Sequence, residues 1–346
     1  MKNSIGMKGI DFVEFTGATL EMFENLFFAF GFSKKAKLAH RPVYYFNQQD
    51  IHFFLNQEKG GFSEKFSKTH GPSLCAMGWR FENPKQAFEI AISRGAKAAD
   101  GDYKTADGVR VPAIYGIGES LVYFVDENTH LNNYASLGFE NLSIPILKPG
   151  CGFTKIDHLT NNVYKGTMKQ WADFYKNIFG FEEVRYFDIR GAKTGLTSFA
   201  LRSPCGSFCI PINEAEENKS QINEYLEEYK GPGVQHLAFL TDNILQSLDG
   251  LSQGEIEMLD IESDYYKEIF SKFPQVTEDH QDIQKKNVLV DGDDEGYLLQ
   301  IFTKNLIGPI FIEIIQRKNH NSFGEGNFGA LFRSIERDQM KRGVLT

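Results

Sequence analysis

Cysteine is scarce in this chain. Four residues in 346 are too few for a disulfide scaffold. Cys205 and Cys209 alternate with Ser207 and could share a strand face, but no second Cys or His pair at zinc spacing accompanies them; they are read as ordinary thiols. Basic charge is also short. With 37 Lys and Arg against 46 Asp and Glu, the net charge is -9, which argues against nucleic acid or an anionic membrane as partner, since both call for a clustered basic face. Long apolar runs are missing as well. The stretch IGPIFIEII near the C-terminus falls far short of the ~20 residues of a membrane span, and Glu313 interrupts it. The opening segment, MKNSIGMKGIDFVEF, has no apolar run of signal-peptide length. A cytoplasmic protein is expected.

Apolar residues are plentiful, at 41% with 31 Phe, enough for a large core and, by length, for roughly two domains of about 150 residues. Their pattern repeats. GIDFVEFTG around Phe12 echoes KIDHLTNNV around His158, and GPSLCAMGWRFEN from Gly71 echoes GPGVQHLAFLTDN from Gly231. Trp171, Phe174, Tyr175, Ile178 and Phe179 form one helical stripe, opened by Thr167 as N-cap and closed by Gly180. Leu20, Phe23, Leu26, Phe27 and Phe30 form its counterpart. RPVYYFNQQDIHFFLN and TSFALRS read as half-buried antiparallel strands. The expected unit is strand, helix and three strands, used four times: an α+β chain of four βαβββ modules paired into two open β-barrel domains.

The break at Leu147-Lys148-Pro149-Gly150 sets the expected domains at 1–148 and 149–346. Outside the repeat, at about 325–341, Phe328, Leu331, Phe332 and Ile335 predict a helix whose other face carries Arg333, Glu336, Arg337 and Asp338. Gly324, Gly326 and Gly329 give it a hinge, so it can serve as a lid.

The repeat is imperfect at three places. His158, His236 and Glu313 lie on apolar, strand-like segments of the second half, where the first half has Phe12, Ala76 and Tyr123. A buried, unpaired Glu313 would cost several kcal/mol, and a divalent cation would compensate it. Two imidazoles and one carboxylate are the protein ligands of mononuclear non-heme Fe(II) oxygenases, and zinc accepts the same donors.

The stretches IDHLTNNV, LRS, PINEA, KSQI, GPGVQHLAF, GYLLQIFTK, FIEIIQR and FGEGNFGALF follow in this order. Together they resemble the 4-hydroxyphenylpyruvate dioxygenase family of the vicinal-oxygen-chelate superfamily, most closely from Lys155 to Arg342. The resemblance implies a glyoxalase-like fold with a metal-free N-terminal domain, and one Fe(II) per chain on His158, His236 and Glu313. It implies polar substrate contacts from Ser203, Asn213, Gln221, Gln235 and Gln300, and an aromatic pocket from Phe302, Phe311, Phe323 and Phe328. Between LRS and PINEA the chain has only PCGSFCI, shorter than in animal members, so a hairpin beside Ser203 is expected to be trimmed.

The implied reaction belongs to tyrosine catabolism. Oxidative decarboxylation, ring hydroxylation and side-chain migration convert 4-hydroxyphenylpyruvate and O2 to homogentisate and CO2, with the substrate supplying its own 2-oxo acid. Two alternatives stand beside it: 4-hydroxymandelate synthase, which hydroxylates the benzylic carbon of the same substrate, and a metal-free binding protein on the same fold. The cage of Phe302, Phe311 and Phe328 favours the dioxygenase, and the intact triad speaks against a binding protein. A homo-oligomer is expected.

Overall fold

The computed structural model describes residues 3–17, 19–190, 195–217, 220–251 and 256–343. Lys219 of the KSQI stretch and the extreme ends of the two expected domains lie outside the described residues. Alternating burial drives the chain into four units of the expected order. The first is β1 (Met7–Thr16), α1 (Leu20–Ala29), β2 (Ser33–Leu38), β3 (Val43–Gln48) and β4 (Ile51–Asn56). After α2 (Phe62–His70) comes the second: β5 (Ser73–Phe81), α3 (Pro84–Ser93), β6 (Ala98–Ala99), β7 (Ala113–Tyr115) and β8 (Leu121–Asp126). The short α4 (Leu131–Tyr134) leads into β9 (Phe139–Ile146).

The third unit is β10 (Phe153–Val163), α5 (Met168–Phe179), β11 (Glu182–Arg190), β12 (Gly195–Arg202) and β13 (Cys209–Ala215), followed by α6 (Gln221–Tyr229). The fourth is β14 (Gly233–Thr241), helices α7 (Ile244–Gly250), α8 (Tyr266–Lys272) and α9 (His280–Lys285), then β15 (Leu289–Gly292), β16 (Tyr297–Phe302) and β17 (Phe311–Lys318). The chain ends in α10 (Phe328–Lys341). The linking helices α2 and α6 and the edge strand β9 were not expected from the repeat.

Each half makes one curled sheet. The strand orders are β6-β7-β8-β5-β1-β4-β3-β2-β9 and β11-β12-β13-β10-β14-β17-β16-β15. At the centre of each, the opening strands of two units run antiparallel, β1 with β5 and β10 with β14. Their ladders slip at matching places: between Ile10 and Phe12 in one half, and between Ile156 and His158 in the other. A bulge of this kind re-aims the side chains beside it. It turns Asp11 and Asp157 out of simple strand alternation.

Side-chain caps begin several helices: Thr19, Asn83, Ser220 and Asn243 each accept from a backbone N–H in the first turn. Thr167 holds the expected N-cap position of α5, but its side chain makes no capping bond. Its hydroxyl donates to the Tyr164 carbonyl, and Glu214 from β13 instead accepts from Gly166 N and Met168 N. Gly180 does close α5, at φ 82°.

The halves share an apolar seam at two places, one where Phe30, Phe32 and Phe53 meet Phe153 and Phe239 and one around Trp79. Trp79 of β5 is fully buried against Tyr175 and Phe179 of α5, and against Phe181 and Phe208. Among the described residues no helix is long and apolar enough to cross a membrane.

Candidate metal centre

Three strands bring the triad together. β14 pairs antiparallel with β10 and parallel with β17, so His158, His236 and Glu313 stand on adjacent strands of one concave face. All three are buried. His158 Nε2 lies 3.1 Å and His236 Nε2 3.4 Å from Glu313 Oε2, and one donor atom from each falls within 4.8 Å of the others. Among the described residues this is the sole cluster of three or more such donors.

The other imidazole nitrogens face oxygen. His158 Nδ1 is 2.7 Å from Asp157 Oδ2, and His236 Nδ1 is 3.2 Å from Gln235 Oε1. Protons held at Nδ1 leave both Nε2 lone pairs pointing at one spot. Burial opposes a charged His158, but the Glu313 carboxylate and the Asp157 hydrogen bond outweigh it and raise its pKa to about 9. Burial pushes His236 down. Burial also works against the Glu313 anion, yet the charge and hydrogen bonds of the two imidazoles hold its pKa below the usual carboxylate range. A carboxylate kept anionic at 3% exposure beside two Nε2 donors suits a divalent cation, which would displace the proton these groups share.

The first half shows the same frame without donors. Phe12, Ala76 and Tyr123 are fully buried; Phe12 stacks on Phe54 at 4.2 Å, and Tyr123 Oη accepts from Asp102 N at 2.8 Å. Rings fill the space that opens into a cavity in the second half.

That cavity has the triad in its wall. Asn213, Gln221, Gln235, Phe302, Phe311, Phe323 and Phe328 line it. Phe311 stacks on the His236 ring at 4.7 Å, and Phe323 meets the His158 ring edge-on at 5.7 Å. Leu331, Phe332 and Ile335 of α10 complete the roof. Glu336 is corrected: it is buried, not on an exposed polar face.

Two further expectations change. Ser203 does not line the cavity; its hydroxyl accepts from Phe208 N at 3.3 Å, closing the tight turn that stands where a trimmed hairpin was expected. Ser198, directly opposite Asn213 in the β12–β13 ladder, lines the cavity in its place. Only strand register could have revealed it. Gln300 is also outside the lining. It is buried with both amide atoms lacking a hydrogen-bond partner, directly beneath Gly324, where any side chain would collide with it. The sequence reading also missed Thr160 and Phe187, both in the wall. All four cysteines are free thiols.

Comparison with known proteins agrees with this geometry. Residues 1–140 match the family model described as "Hydroxyphenylpyruvate dioxygenase, HPPD, N-terminal", and residues 155–281 match the "Glyoxalase/Bleomycin resistance protein/Dioxygenase superfamily". The chain is 57% identical to "Protein MelA" of Shewanella colwelliana over 345 residues, covering 99% of each chain. It is 42% identical to "4-hydroxyphenylpyruvate dioxygenase" of Pseudomonas aeruginosa, covering 99% of this chain and 97% of that one. Among solved structures, a mutant 4-hydroxymandelate synthase from Streptomyces coelicolor superposes with a TM-score of 0.80 at 23% identity, covering 96% of this chain and 99% of that one.

Proposed function

The chain belongs to the 4-hydroxyphenylpyruvate dioxygenase family, and on that premise we propose that it converts 4-hydroxyphenylpyruvate and O2 to homogentisate and CO2, an oxidoreductase step of tyrosine catabolism. The observation that carries this reading is the buried His158, His236 and Glu313 set in the wall of a phenylalanine-lined cavity that also presents neutral amides.

His158, His236 and Glu313 would hold one Fe(II), which supplies a redox-active Lewis acid for the substrate's own 2-oxo acid group and for oxygen. The other tasks fall to the chain. Asn213, Gln221, Gln235 and Ser198 can donate to and accept from a phenol without titrating. Phe302, Phe311, Phe323 and Phe328 give the ring an apolar slot and keep water from the reacting carbon. Helix α10 supplies the roof, so it closes the cavity once substrate is in place. In this reading 1–148 is a metal-free scaffold and 149–346 the catalytic domain. Four free thiols accord with a cytoplasmic setting.

The test is anaerobic reconstitution with Fe(II), then oxygen uptake with 4-hydroxyphenylpyruvate and identification of the product. Homogentisate with stoichiometric CO2 is expected. 4-Hydroxymandelate would reassign the chain to benzylic hydroxylation, and no oxygen uptake would refute the enzymatic reading.

A further inference from the structure

Arg317 lies on β17, the strand that carries Glu313, and is not part of the cavity lining. Its guanidinium reaches in two directions. Nε and Nη2 donate to the two oxygens of Asp157, each at 2.9 Å, the planar fork that only arginine can offer a carboxylate. Nη1 donates to the backbone carbonyls of Ser322, at 2.5 Å, and His320, at 3.2 Å.

Both ends of this bridge matter to the site. Asp157 is the bulge residue whose carboxylate takes the His158 Nδ1 hydrogen bond. Ser322 and His320 belong to the loop that delivers Phe323 against the His158 ring and then, through Gly324 at φ 77°, starts the turn leading into α10. One cation thus grips the carboxylate that orients a donor and the root of the helix that roofs the cavity.

The first half offers a comparison. At the equivalent bulge, Asp11 accepts from Arg80 Nε at 2.8 Å, but Arg80 directs its other arm to the Asp50 carboxylate. Arg80 comes from β5, the counterpart of β14, and grips a second acid; in the half with a triad and a roof helix, Arg317 comes from β17 instead and grips backbone carbonyls at that helix's root.

We propose that Arg317 is a positioning residue that couples the seating of His158 to the docking of the C-terminal helix, so that a metal held by His158 also steadies residues 320–327. The proposal rests on the metal reading of the triad. It predicts that loading the centre quiets a loop containing none of its ligands, and that the effect disappears when the bridge is cut at either end.

The experiment uses the full chain, with Arg317→Lys and Asp157→Asn compared to the parent. Fe(II) retention is read by anaerobic chelator competition, and backbone amide exchange of residues 320–327 by mass spectrometry, with and without Fe(II). In the parent, Fe(II) should slow exchange there. In both variants Fe(II) should be held about ten- to a hundredfold more weakly, as expected for lost support of a liganding imidazole. At saturating Fe(II) the slowing of exchange should be gone. Three results would each overturn the coupling: weaker retention with a loop that still responds to Fe(II), a loosened loop with unchanged retention, or a parent loop indifferent to Fe(II). If Arg317→Lys fails to fold by circular dichroism, the nearly isosteric Asp157→Asn decides on the same criteria. A parent that binds no Fe(II) would refute the site reading itself and with it the coupling, a failure recognised before any variant is compared.

Discussion

Replacing Glu14 by glutamine should stabilise the protein, by an amount that grows with pH. Glu14 points into the first barrel two positions beyond Phe12, the place Thr160 holds beyond His158. It is 1% exposed. Asn56 Nδ2 donates to its Oε1 at 2.8 Å, while Oε2 has no hydrogen-bond partner. Burial, and then the neighbouring Asp102 charge, raise its pKa from 4.5 to about 8. The folded state therefore keeps Glu14 protonated where the unfolded chain releases the proton. Its stability contribution is full below pH 4.5 and is lost progressively until pH passes about 8.

At about 1.4 kcal/mol per pH unit, the loss is roughly 3 kcal/mol at pH 7 and levels off at about 4 to 5 kcal/mol above pH 8. Glu14→Gln keeps an acceptor for Asn56 and cannot ionise. Urea unfolding of both proteins from pH 5 to 8.5 measures the difference, since every other titrating group is common to both. The advantage of the variant should rise from under about 1 kcal/mol at pH 5 to about 3 kcal/mol at pH 7. A difference that stays level across this range would mean that Glu14 is charged in the fold, and would refute the reasoning.

Further outcomes follow from the site. His158→Ala, His236→Ala and Glu313→Ala should each abolish Fe(II)-dependent oxygen uptake while far-ultraviolet circular dichroism stays native; full activity in any of them would remove that residue from the centre. Deleting the chain from Gly326 onward removes the roof but none of the triad, so it should eliminate homogentisate formation while chelator competition still finds Fe(II) bound. Ser198→Ala should lower kcat/KM by about tenfold, the scale of one lost hydrogen bond, whereas Ser203→Ala should leave it within about twofold; the reverse order would restore Ser203 to the site.

The fourfold unit and the triad were legible because apolar periodicity and a broken repeat both survive in one dimension. Register did not survive there. Ser198 faces Asn213 only because β12 and β13 pair as they do, and the LRS motif drew attention to Ser203 instead. Bulges are equally silent: nothing in IDH says that Asp157 leaves strand alternation to reach His158 Nδ1 and Arg317. A clue was nonetheless present, since Asp recurs at position 11, where the ligand does not. The helix-wheel reading of α10 put Glu336 outside because it counted one packed face, whereas α10 also packs through Ser334, whose hydroxyl donates to the Asp260 carbonyl at 2.7 Å. Thr167 does hold the N-cap place of α5, but its residue type could not show that Glu214 would arrive from a distant strand to take the backbone N–H groups there.

The seam around Trp79 has a practical consequence. The chain has only two tryptophans, and this one is fully buried between rings contributed by the other half. Melting either barrel moves the same indole from hydrocarbon into water. With Trp171 replaced by phenylalanine, the Trp79 emission is an optical gauge of the contact between scaffold and catalytic halves, and a fluorescence-monitored denaturation curve then reports the integrity of their union.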